Sequence, residues 1–332
     1  MKRSRRGRGM RGVLLAAAVT MSMLTGCGGG NGITSSVKLE TGDIQDTSVV
    51  IKVGDAGVKY SEVRNYCYML KEQYEGNFGS KLWNYSLDKE TTIGDEAKEE
   101  ILNMITQLKV ISATATSQKV SLTNDEKDEA IQRAEELMDS ASETDKKKYS
   151  LSVASLQKIY EENALANKMF YIATDAADTE VTDAEAKQIK IAYILVKNSG
   201  EAGEAEKSRT LTRAQEMLDN AKKSEDFVEF AKTNTEADSV ELTIGQDSKE
   251  MDAEAITAAF ALKKGEVSSV VQGTSGCYII YCINDNDEDA TYARKEQIIA
   301  QRQTSMFKKK YAKWMGDYSV DISKSFWRIF TI

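Results

Sequence analysis

The stretch AAFALKKGEVSSVV, residues 258–271, changes from one secondary-structure pattern to another across a single turn. Its first residues complete the alanine-rich segment DAEAITAAFAL, residues 252–262, which favours a helix. The segment KKGE, residues 263–266, places a glycine in the connection, and the run VSSVV, residues 267–271, favours a strand. A helix, a tight turn and a strand in this order predict a domain in which both element types alternate.

The same alternation continues upstream and downstream of this stretch. The segment KIAYILVK, residues 190–197, predicts a strand, and so does CYIIYCI, residues 277–283. Between them, helices are predicted over residues 204–222 and within EDFVEFAKTN, residues 225–234, before a short apolar stretch at 240–245. Strands interleaved with helices over such a short length indicate a compact α+β domain.

The sequence before this α+β domain is mainly helical. An alternating strand at 49–53 and a turn at 55–57 open it. Helices are predicted after Asp95, over 124–141 and over 153–172, because apolar residues recur there at steps of three and four. The first large domain is therefore predicted to be helical, with one small strand pair.

The sequence after the α+β domain returns to a helical pattern. Residues 291–318 predict a long helix, and residues 319–332 predict a strand with an aromatic anchor. Thr-x-x-Glu spacings typical of capping boxes occur earlier in the chain, at 123–126 and 182–185. Because helical sequence flanks the α+β domain on both sides, we expect the C-terminal helix to return and complete the N-terminal domain.

The first residues have the organisation of an export signal. The basic segment MKRSRRGRGMRG precedes the apolar run VLLAAAVTMSML, which is too short to span about 30 Å of hydrocarbon. The following LTGC, residues 24–27, resembles the lipobox of bacterial lipoproteins, which implies that Cys27 becomes the acylated first residue of the mature chain. We therefore expect a lipid-anchored protein on the extracytoplasmic face of the cell membrane.

Two absences in the composition exclude much enzyme chemistry. The chain has no histidine, so it has no Ser-His or Cys-His nucleophile pair, no imidazole acid or base, and no His-ligated zinc site. It also has no proline, so its own folding does not wait on prolyl isomerisation. The net charge is −8 although the export signal is basic, so the exported body is distinctly acidic, which disfavours nucleic acid as a partner.

The element order and several phrases resemble the parvulin-type (PpiC, or rotamase) peptidyl-prolyl isomerase family. IKIAYILV at 189–196 is similar to the family's first strand and EDFVEFAK at 225–232 to its second helix. AAFALKKGEVSSVV is similar to the helix, turn and strand near its end, and GCYII at 276–280 to its last strand. The likeness covers 187–285, and the whole layout resembles the PrsA and SurA extracytoplasmic foldases.

This resemblance, together with the patterns above, divides the chain into five segments. The polar, Gly-rich segment after Cys27 lacks periodicity and predicts a flexible tether. The expected segments are a lipoprotein signal peptide at 1–26, a tether at 27–48, a helical chaperone-like domain at 49–183, a parvulin-like domain at 184–287, and a C-terminal helix and strand at 288–332.

The resemblance also implies a groove for the Xaa-Pro bond. The family's groove carries two histidines, and by resemblance these positions fall on Tyr193 and Tyr278 in this chain. The apolar proline pocket of the family falls on Leu242, Met251 and Phe260. We therefore expect a degenerate parvulin groove made of these five side chains, with no confidently predicted catalytic residue.

Two further positions depart from the family pattern. The Cys or Asp that lies between the two histidines falls near residues 236–238, where this sequence is shortened. The aromatic residue expected five positions before Phe260 is Ala255, which we expect to open the pocket and to weaken proline binding. A tyrosine hydroxyl keeps a hydrogen bond, but its ordinary pKa near 10 makes it a poor proton carrier at neutral pH.

One acidic run has the spacing of a calcium-binding loop. Asp285, Asp287, Asp289 and Glu296 stand at the first, third, fifth and twelfth positions of an EF-hand-like pattern. The sixth position is Ala290 rather than glycine, and a strand precedes the run. We expect these acids to cap the following helix, and we predict no metal and no cofactor, although the sequence alone leaves cation binding open.

The leading functional hypothesis is a membrane-anchored foldase or chaperone with little or no isomerase activity. Its expected partners are unfolded or partly folded exported polypeptides, held by apolar side chains such as Met169, Phe170, Met251 and Phe260, and the membrane through the lipid on Cys27. The alternatives are an active isomerase that uses the tyrosine hydroxyls and a surface scaffold or adaptor without chaperone activity. The sequence leaves open whether the chain forms a homodimer.

Overall fold

The computed structural model describes residues 39, 41–198 and 203–332. Cys27, the predicted signal peptide and most of the predicted tether therefore lie outside the described residues. The chain divides into two compact units. Unit 1 contains the described residues up to Ala176 together with Ser305–Ile332, and unit 2 contains Ala177–Thr304.

Unit 1 combines helices with a small sheet, and unit 2 places helices on both faces of a larger sheet. The first elements of unit 1 are β1 (Val49–Val53), β2 (Ala56–Lys59), α1 (Tyr60–Phe78), a 3-10 turn (Ser80–Asn84), α2 (Ile93–Ser117), α3 (Asn124–Ser140), α4 (Glu143–Lys148) and α5 (Val153–Thr174). The elements of unit 2 are α6 (Asp183–Ala186), β3 (Ile189–Lys197), α7 (Glu204–Ala221), α8 (Phe227–Asn234), β4 (Glu241–Ile244), α9 (Ala253–Ala261), β5 (Val271–Gln272) and β6 (Gly276–Asn284). Helix α10 (Glu288–Met315) continues from unit 2 into unit 1, where β7 (Val320–Ile322) and α11 (Lys324–Ile329) end the chain. These alternating elements confirm the predicted α+β class.

Capping side chains set where the helices of unit 1 begin. At α3 the Thr123 hydroxyl accepts from the Glu126 amide at 3.3 Å, and the Glu126 carboxylate accepts from the Thr123 amide at 2.7 Å. This is the capping box that the sequence predicts. Thr92 and Asp95 form the same reciprocal pair, so α2 begins at Ile93 rather than after Asp95.

The second predicted capping box opens only a single turn of helix. The Thr182 hydroxyl accepts from the Glu185 amide at 3.2 Å, but the Glu185 carboxylate contacts the Arg302 guanidinium on α10 at 2.7 Å. Arg302 also contacts the Asp178 carboxylate at 3.1 Å. Glu185, which the sequence assigns to a local helix cap, therefore forms a tertiary contact with Arg302 instead.

The C-terminal segment completes the sheet of unit 1. Strand β7 pairs antiparallel with β1, with Ile322 opposite Ile51, and the sheet order is β2-β1-β7. On α11, Phe326 is fully buried and meets the Tyr60 ring edge-on, with ring centroids 5.9 Å apart. The return of the C-terminal segment to the N-terminal helical domain is thus confirmed.

The predicted strand over 319–332 is correct for only three residues. After Val320–Ile322, the Ser323 hydroxyl accepts from the Phe326 amide at 3.2 Å and starts α11. Phe326 and Phe330 then stack on one face of this helix, with ring centroids 4.9 Å apart. A serine cap followed by aromatic residues four apart is a helical pattern, and it ends the strand.

Unit 1 also buries an ion cluster that joins three helices. Lys109 on α2 has a side chain only 5% exposed, and its ammonium contacts the carboxylates of Glu62 on α1 and Glu162 on α5. The bond to Glu162 measures 2.6 Å, and Lys158 approaches Glu62 at 3.2 Å. Since a buried charge must be compensated, this cluster constrains how α1, α2 and α5 pack.

The sheet of unit 2 has the order β4-β3-β6-β5 and is antiparallel throughout the described residues. Side chains of β3 alternate between its two faces, as the period of a strand requires. Ile191 and Tyr193 point to the face covered by α9, whereas Ala192 and Ile194 point to the face covered by α7 and α8. Both faces are buried, which explains the nearly continuous apolar run of β3.

The predicted strand VSSVV, residues 267–271, is largely irregular in the structure. Regular pairing is limited to Val271–Gln272, and Val267 forms an isolated bridge with Tyr281. At Ser268 the hydroxyl accepts from the Ile280 amide at 2.9 Å, while the Ser268 amide donates to the Ile280 carbonyl at 2.8 Å. A side-chain oxygen thus replaces one backbone acceptor, and the ladder is interrupted there.

Candidate functional site

The two central strands of unit 2 bring the two predicted tyrosines together. Tyr193 on β3 stands opposite Ile280, and Tyr278 on β6 stands opposite Leu195. The tyrosines are therefore diagonal neighbours on one face of the sheet. Their rings stack with centroids 6.2 Å apart and an interplanar angle of 29°.

The remaining predicted groove residues lie in the same apolar cluster. Leu242 comes from β4, Met251 precedes α9, and Phe260 lies near the end of α9, and all three pack with Tyr193 and Tyr278. Leu242 and Phe260 are partly exposed, whereas the other three side chains are buried. We call these five residues the tyrosine groove.

The structure has no open pocket at Ala255, where the sequence predicts one. Ala255 is fully buried within the same cluster, beside Met251 and Ile256. The small side chain is accommodated by close packing of α9 on the sheet rather than by an open hollow at that position. Since Tyr193 is 6% exposed and Tyr278 is 3% exposed, the floor of the groove is closed, and the expectation of an opened pocket is wrong.

A carboxylate that the sequence analysis did not single out stands at the Tyr278 end of the groove. Asp252 precedes α9, and its carboxylate accepts from the Ser275 amide at 2.7 Å and from the Ser275 hydroxyl at 2.9 Å. The Tyr278 hydroxyl interacts with both of these residues. Burial is the main cause that raises the pKa of Tyr278, and the charge of Asp252 acts in the same direction.

A second acidic residue lies at the Tyr193 end, within the shortened loop of the sequence. Glu236 has a structural role, because its carboxylate accepts a hydrogen bond from the Lys197 amide at 2.6 Å and forms an ion pair with Arg213. Asp238 is exposed and close enough to Tyr193 to act on it electrostatically. Burial raises the pKa of Tyr193, and the charge of Asp238 raises it further.

These contacts define the chemistry that the tyrosine groove can perform. Both phenols remain neutral at neutral pH, because their pKa values are raised above an ordinary value near 10. A neutral phenol donates or accepts a hydrogen bond, but it does not exchange protons readily at this pH. At neutral pH the two phenols therefore offer hydrogen bonds rather than readily transferred protons.

The acidic run after β6 behaves as a helix start. The Asp287 carboxylate accepts from the Ala290 amide at 3.2 Å, and the Asp287 amide donates to the Gln188 carbonyl at 2.9 Å. Asp285 approaches Lys263 at 3.9 Å. In the described part of the chain no group of three or more acidic or cysteine side chains is arranged to hold a metal ion.

Of the unit 1 side chains expected to contact unfolded chains, Met169 belongs to the protein interior and Phe170 is partly buried. Met169 is completely buried in unit 1, and Phe170 packs against Phe307 with ring centroids 5.2 Å apart. Both face the core because α5 is covered on that side by the returning C-terminal segment. Within the ranges that the structure describes, no helix is both long and apolar enough to cross a membrane.

Comparison with known proteins identifies both parts of the chain. Residues 1–168 match the family model of the SurA-like N-terminal domain, and residues 177–286 match that of the PPIC-type PPIase domain. The chain belongs to the PrsA/SurA-like family of parvulin-type foldases. This confirms the family that the sequence patterns suggested.

The extent of the similarity differs among individual proteins. The foldase protein PrsA of Clostridium acetobutylicum is 24% identical over 92% of this chain and 96% of its own length. The chaperone SurA of Nitrosospira multiformis is 34% identical over 33% of this chain and 25% of its own length. The crystal structure of foldase PrsA from Streptococcus pneumoniae is 20% identical, covers 79% of this chain and 90% of that one, and has a TM-score of 0.34.

Proposed function

We propose that this protein is a membrane-anchored extracytoplasmic chaperone whose parvulin-like unit binds polypeptide without isomerising it. The observation that carries the proposal is the stacked pair Tyr193 and Tyr278 at the positions where the resemblance implies two histidines. Burial raises the pKa of both tyrosines, so neither is poised to move a proton at neutral pH.

A protease-coupled assay on an Xaa-Pro peptide tests the loss of isomerase activity. The uncatalysed bond rotates slowly, over tens to hundreds of seconds, so any real catalysis is easily seen. We expect the full chain to leave this rate unchanged. A kcat/KM comparable with that of an active parvulin would contradict the proposal and favour the isomerase alternative.

The matched variant for this assay carries Tyr193→His and Tyr278→His together. Histidine has an ordinary pKa near 6.5 and would supply the side chains that the resemblance implies. A gain of activity in this double variant locates the loss in the two tyrosines. No gain would mean that the closed floor beside Ala255 also blocks the prolyl bond.

Chaperone action needs apolar surface, and unit 1 exposes some. Phe78 is 66% exposed, Tyr85 67% and Leu87 55%, and all three lie between the end of α1 and the start of α2. Clusters of exposed apolar side chains mark interaction sites more often than isolated ones do. These residues take the place of the buried Met169 and the partly buried Phe170 as expected contacts for unfolded exported polypeptides.

Suppression of aggregation tests the chaperone proposal. The full chain at equimolar concentration should slow the aggregation of a reduced, unfolded client. Substituting Phe78, Tyr85 and Leu87 together by Ser should remove at least half of this effect. Tyr292→Ser, an equally exposed aromatic residue in unit 2, is the control and should change little. No suppression at several-fold excess of the unsubstituted chain would favour the scaffold or adaptor alternative.

The membrane anchor is a separate part of the proposal. It rests on the apolar run that ends at LTGC and on the thiol of Cys27, which two acyl chains would hold firmly in a membrane. Cys27→Ala should move the protein from the membrane fraction to the soluble fraction and abolish labelling by radioactive palmitate. A Cys27→Ala variant that stays in the membrane fraction and is still labelled by palmitate would contradict lipid anchoring through Cys27.

A further inference from the structure

Two carboxylates flank the tyrosine groove on opposite ends. Asp238 lies in a loop held at both sides to β3, since the Glu236 amide donates to the Leu195 carbonyl at 2.9 Å and the Tyr193 amide donates to the Val240 carbonyl at 2.9 Å. Asp252 is held beside Tyr278 by its two hydrogen bonds from Ser275. The backbone around Asp238 and the carboxylate of Asp252 are therefore held near the phenol pair.

Neither carboxylate is neutralised by the protein in the part of the chain that the structure describes. Ion pairs there involve other acids of unit 2, for example Glu236 with Arg213 and Asp247 with Arg294. No lysine or arginine among the described residues forms an ion pair with Asp238 or Asp252. The rim of the groove thus keeps two uncompensated negative charges.

The Tyr193 hydroxyl is a hydrogen-bonding group for a ligand in the groove. The residue is only 6% exposed, but its hydroxyl is not one of the buried side-chain atoms that lack a hydrogen-bond partner among the described residues. A hydroxyl that is not fully enclosed can donate to an incoming acceptor. An extended polypeptide lying along the groove would offer backbone carbonyls to this hydroxyl.

We propose that the tyrosine groove binds extended client segments that carry lysine or arginine next to an apolar residue, without a requirement for proline. The apolar side chain would pack on the partly exposed Leu242 and Phe260, and the cation would sit between Asp238 and Asp252. The inference deepens the proposed chaperone function and rests on it. It names a substrate class for the same groove.

Binding of short labelled peptides to the full chain tests this selectivity. In one probe phenylalanine alternates with lysine, in the second with glutamate and in the third with serine, and each is made with and without a central proline. We expect the lysine probe to bind about tenfold more tightly than the glutamate probe, because opposite charges at close range favour association. Proline should change the affinity less than twofold, and high salt should reduce the advantage of lysine.

Three variants locate the selectivity in the groove. Asp238→Asn and Asp252→Asn should each reduce the lysine advantage by about threefold, since each removes one charge but keeps the size of the side chain. Asp219→Asn on the exposed side of α7 removes the same charge elsewhere in unit 2 and should have no effect. Equal binding of lysine and glutamate probes, or an equal loss in Asp219→Asn, would overturn the proposal.

The outcome separates this inference from the chaperone proposal. If aggregation is suppressed but the lysine probe gains nothing over the glutamate probe, only the groove selectivity is wrong. If the probes are discriminated and Asp238→Asn reduces the discrimination by about threefold while aggregation proceeds unchecked, the groove selectivity stands and the chaperone function is wrong. Tyr193→Phe, which removes only the hydroxyl, should weaken all three probes alike.

Discussion

The two units of this foldase differ in how their charged side chains are compensated. Unit 1 encloses Lys109 between Glu62 and Glu162, so that this buried ammonium has partners of opposite sign. Unit 2 leaves Asp238 and Asp252 at the rim of the groove without a cationic partner among the described residues. A buried charge must be paired to be tolerated, whereas a rim charge stays hydrated until a ligand arrives. The cluster charges of unit 1 are therefore compensated within the protein, whereas these two carboxylates of unit 2 remain available to a ligand.

The chain carries separate reporters for the two units. All three tryptophans, at 83, 314 and 327, lie in unit 1, so tryptophan fluorescence follows that unit alone. Cys277 and Cys282 are free, buried thiols in unit 2, and their reaction with a thiol reagent follows the opening of its sheet. Each prediction below can therefore be assigned to one unit.

The largest effect is expected from Lys109→Met in unit 1. This change leaves Glu62 and Glu162 buried without their shared cation, which should lower the free energy of unfolding by about 3–5 kcal/mol. Urea unfolding followed by tryptophan fluorescence measures it. Lys158→Met is the control, because its side chain is 54% exposed, and it should cost less than about 1 kcal/mol. Similar costs for both variants would remove the distinction between buried and exposed charge.

A steric change in unit 2 should have the next largest effect. A Cβ at Gly276 would lie only 2.2 Å from the Val196 carbonyl oxygen, a backbone atom that the β3–β6 pairing holds in place. Gly276→Ala should therefore cost about 3 kcal/mol and should speed labelling of Cys277 and Cys282 but not of Cys67.

The matched control for this change is Gly203→Ala. Gly203 precedes α7 with φ of −66°, and a Cβ there meets nothing within 4 Å, so the cost should stay below about 1 kcal/mol. Equal thiol protection in the two variants would show that the β3–β6 contact at Gly276 can relax without a loss of stability in unit 2.

Alkaline pH should weaken unit 1 through its buried phenols. Burial raises the pKa of Tyr311 to about 12. As pH rises from about 10, the unfolded chain loses this proton while the folded chain keeps it, so stability falls until about pH 12. This one group accounts for up to about 2.7 kcal/mol of the loss.

Tyrosine-to-phenylalanine variants isolate the contribution of Tyr311 to the loss of stability at alkaline pH. Tyr311→Phe should flatten the decline of unfolding free energy between about pH 10 and about pH 12 that tryptophan fluorescence records, because it removes the titrating hydroxyl. Tyr85→Phe changes an exposed phenol and should leave the decline unaltered. An identical slope in all three proteins would mean that Tyr311 ionises equally well in the folded state.

The smallest effect on stability is expected at the rim of the groove. Asp238 is exposed and forms no ion pair within the described residues, so Asp238→Asn should change the stability of unit 2 by less than about 0.5 kcal/mol. Thiol labelling of Cys277 provides the measurement. A large loss of protection would show that Asp238 has a structural role, and the contrast between the two units would then fail.

Much of the fold follows from local sequence patterns. Apolar periodicity places the helices that begin at Asn124 and Val153, and the reciprocal Thr123–Glu126 cap explains why the first begins where it does. The central strands β3 and β6 follow from apolar, β-branched runs. These elements are predictable because neighbouring residues decide them.

The errors fall where distant residues compete with local preference. Glu185 binds Arg302 instead of completing its cap, and the Ser268 hydroxyl replaces a backbone acceptor in a predicted strand. The sequence analysis does not single out Asp252, because its bonds to Ser275, 23 residues away, are visible only in the folded chain. Met169 is an apolar residue of the type expected to contact clients, but it is fully buried.

The sequence by itself determined which chemistry is missing from this protein. A chain without histidine has tyrosine at both positions where its family resemblance implies imidazoles, and no folding of the backbone can restore that group. Only the tertiary structure decided how those tyrosines are used, because stacking, burial and the approach of Asp238 and Asp252 depend on β3, β6 and the segments around them. Composition sets the available functional groups, and long-range packing sets their surroundings.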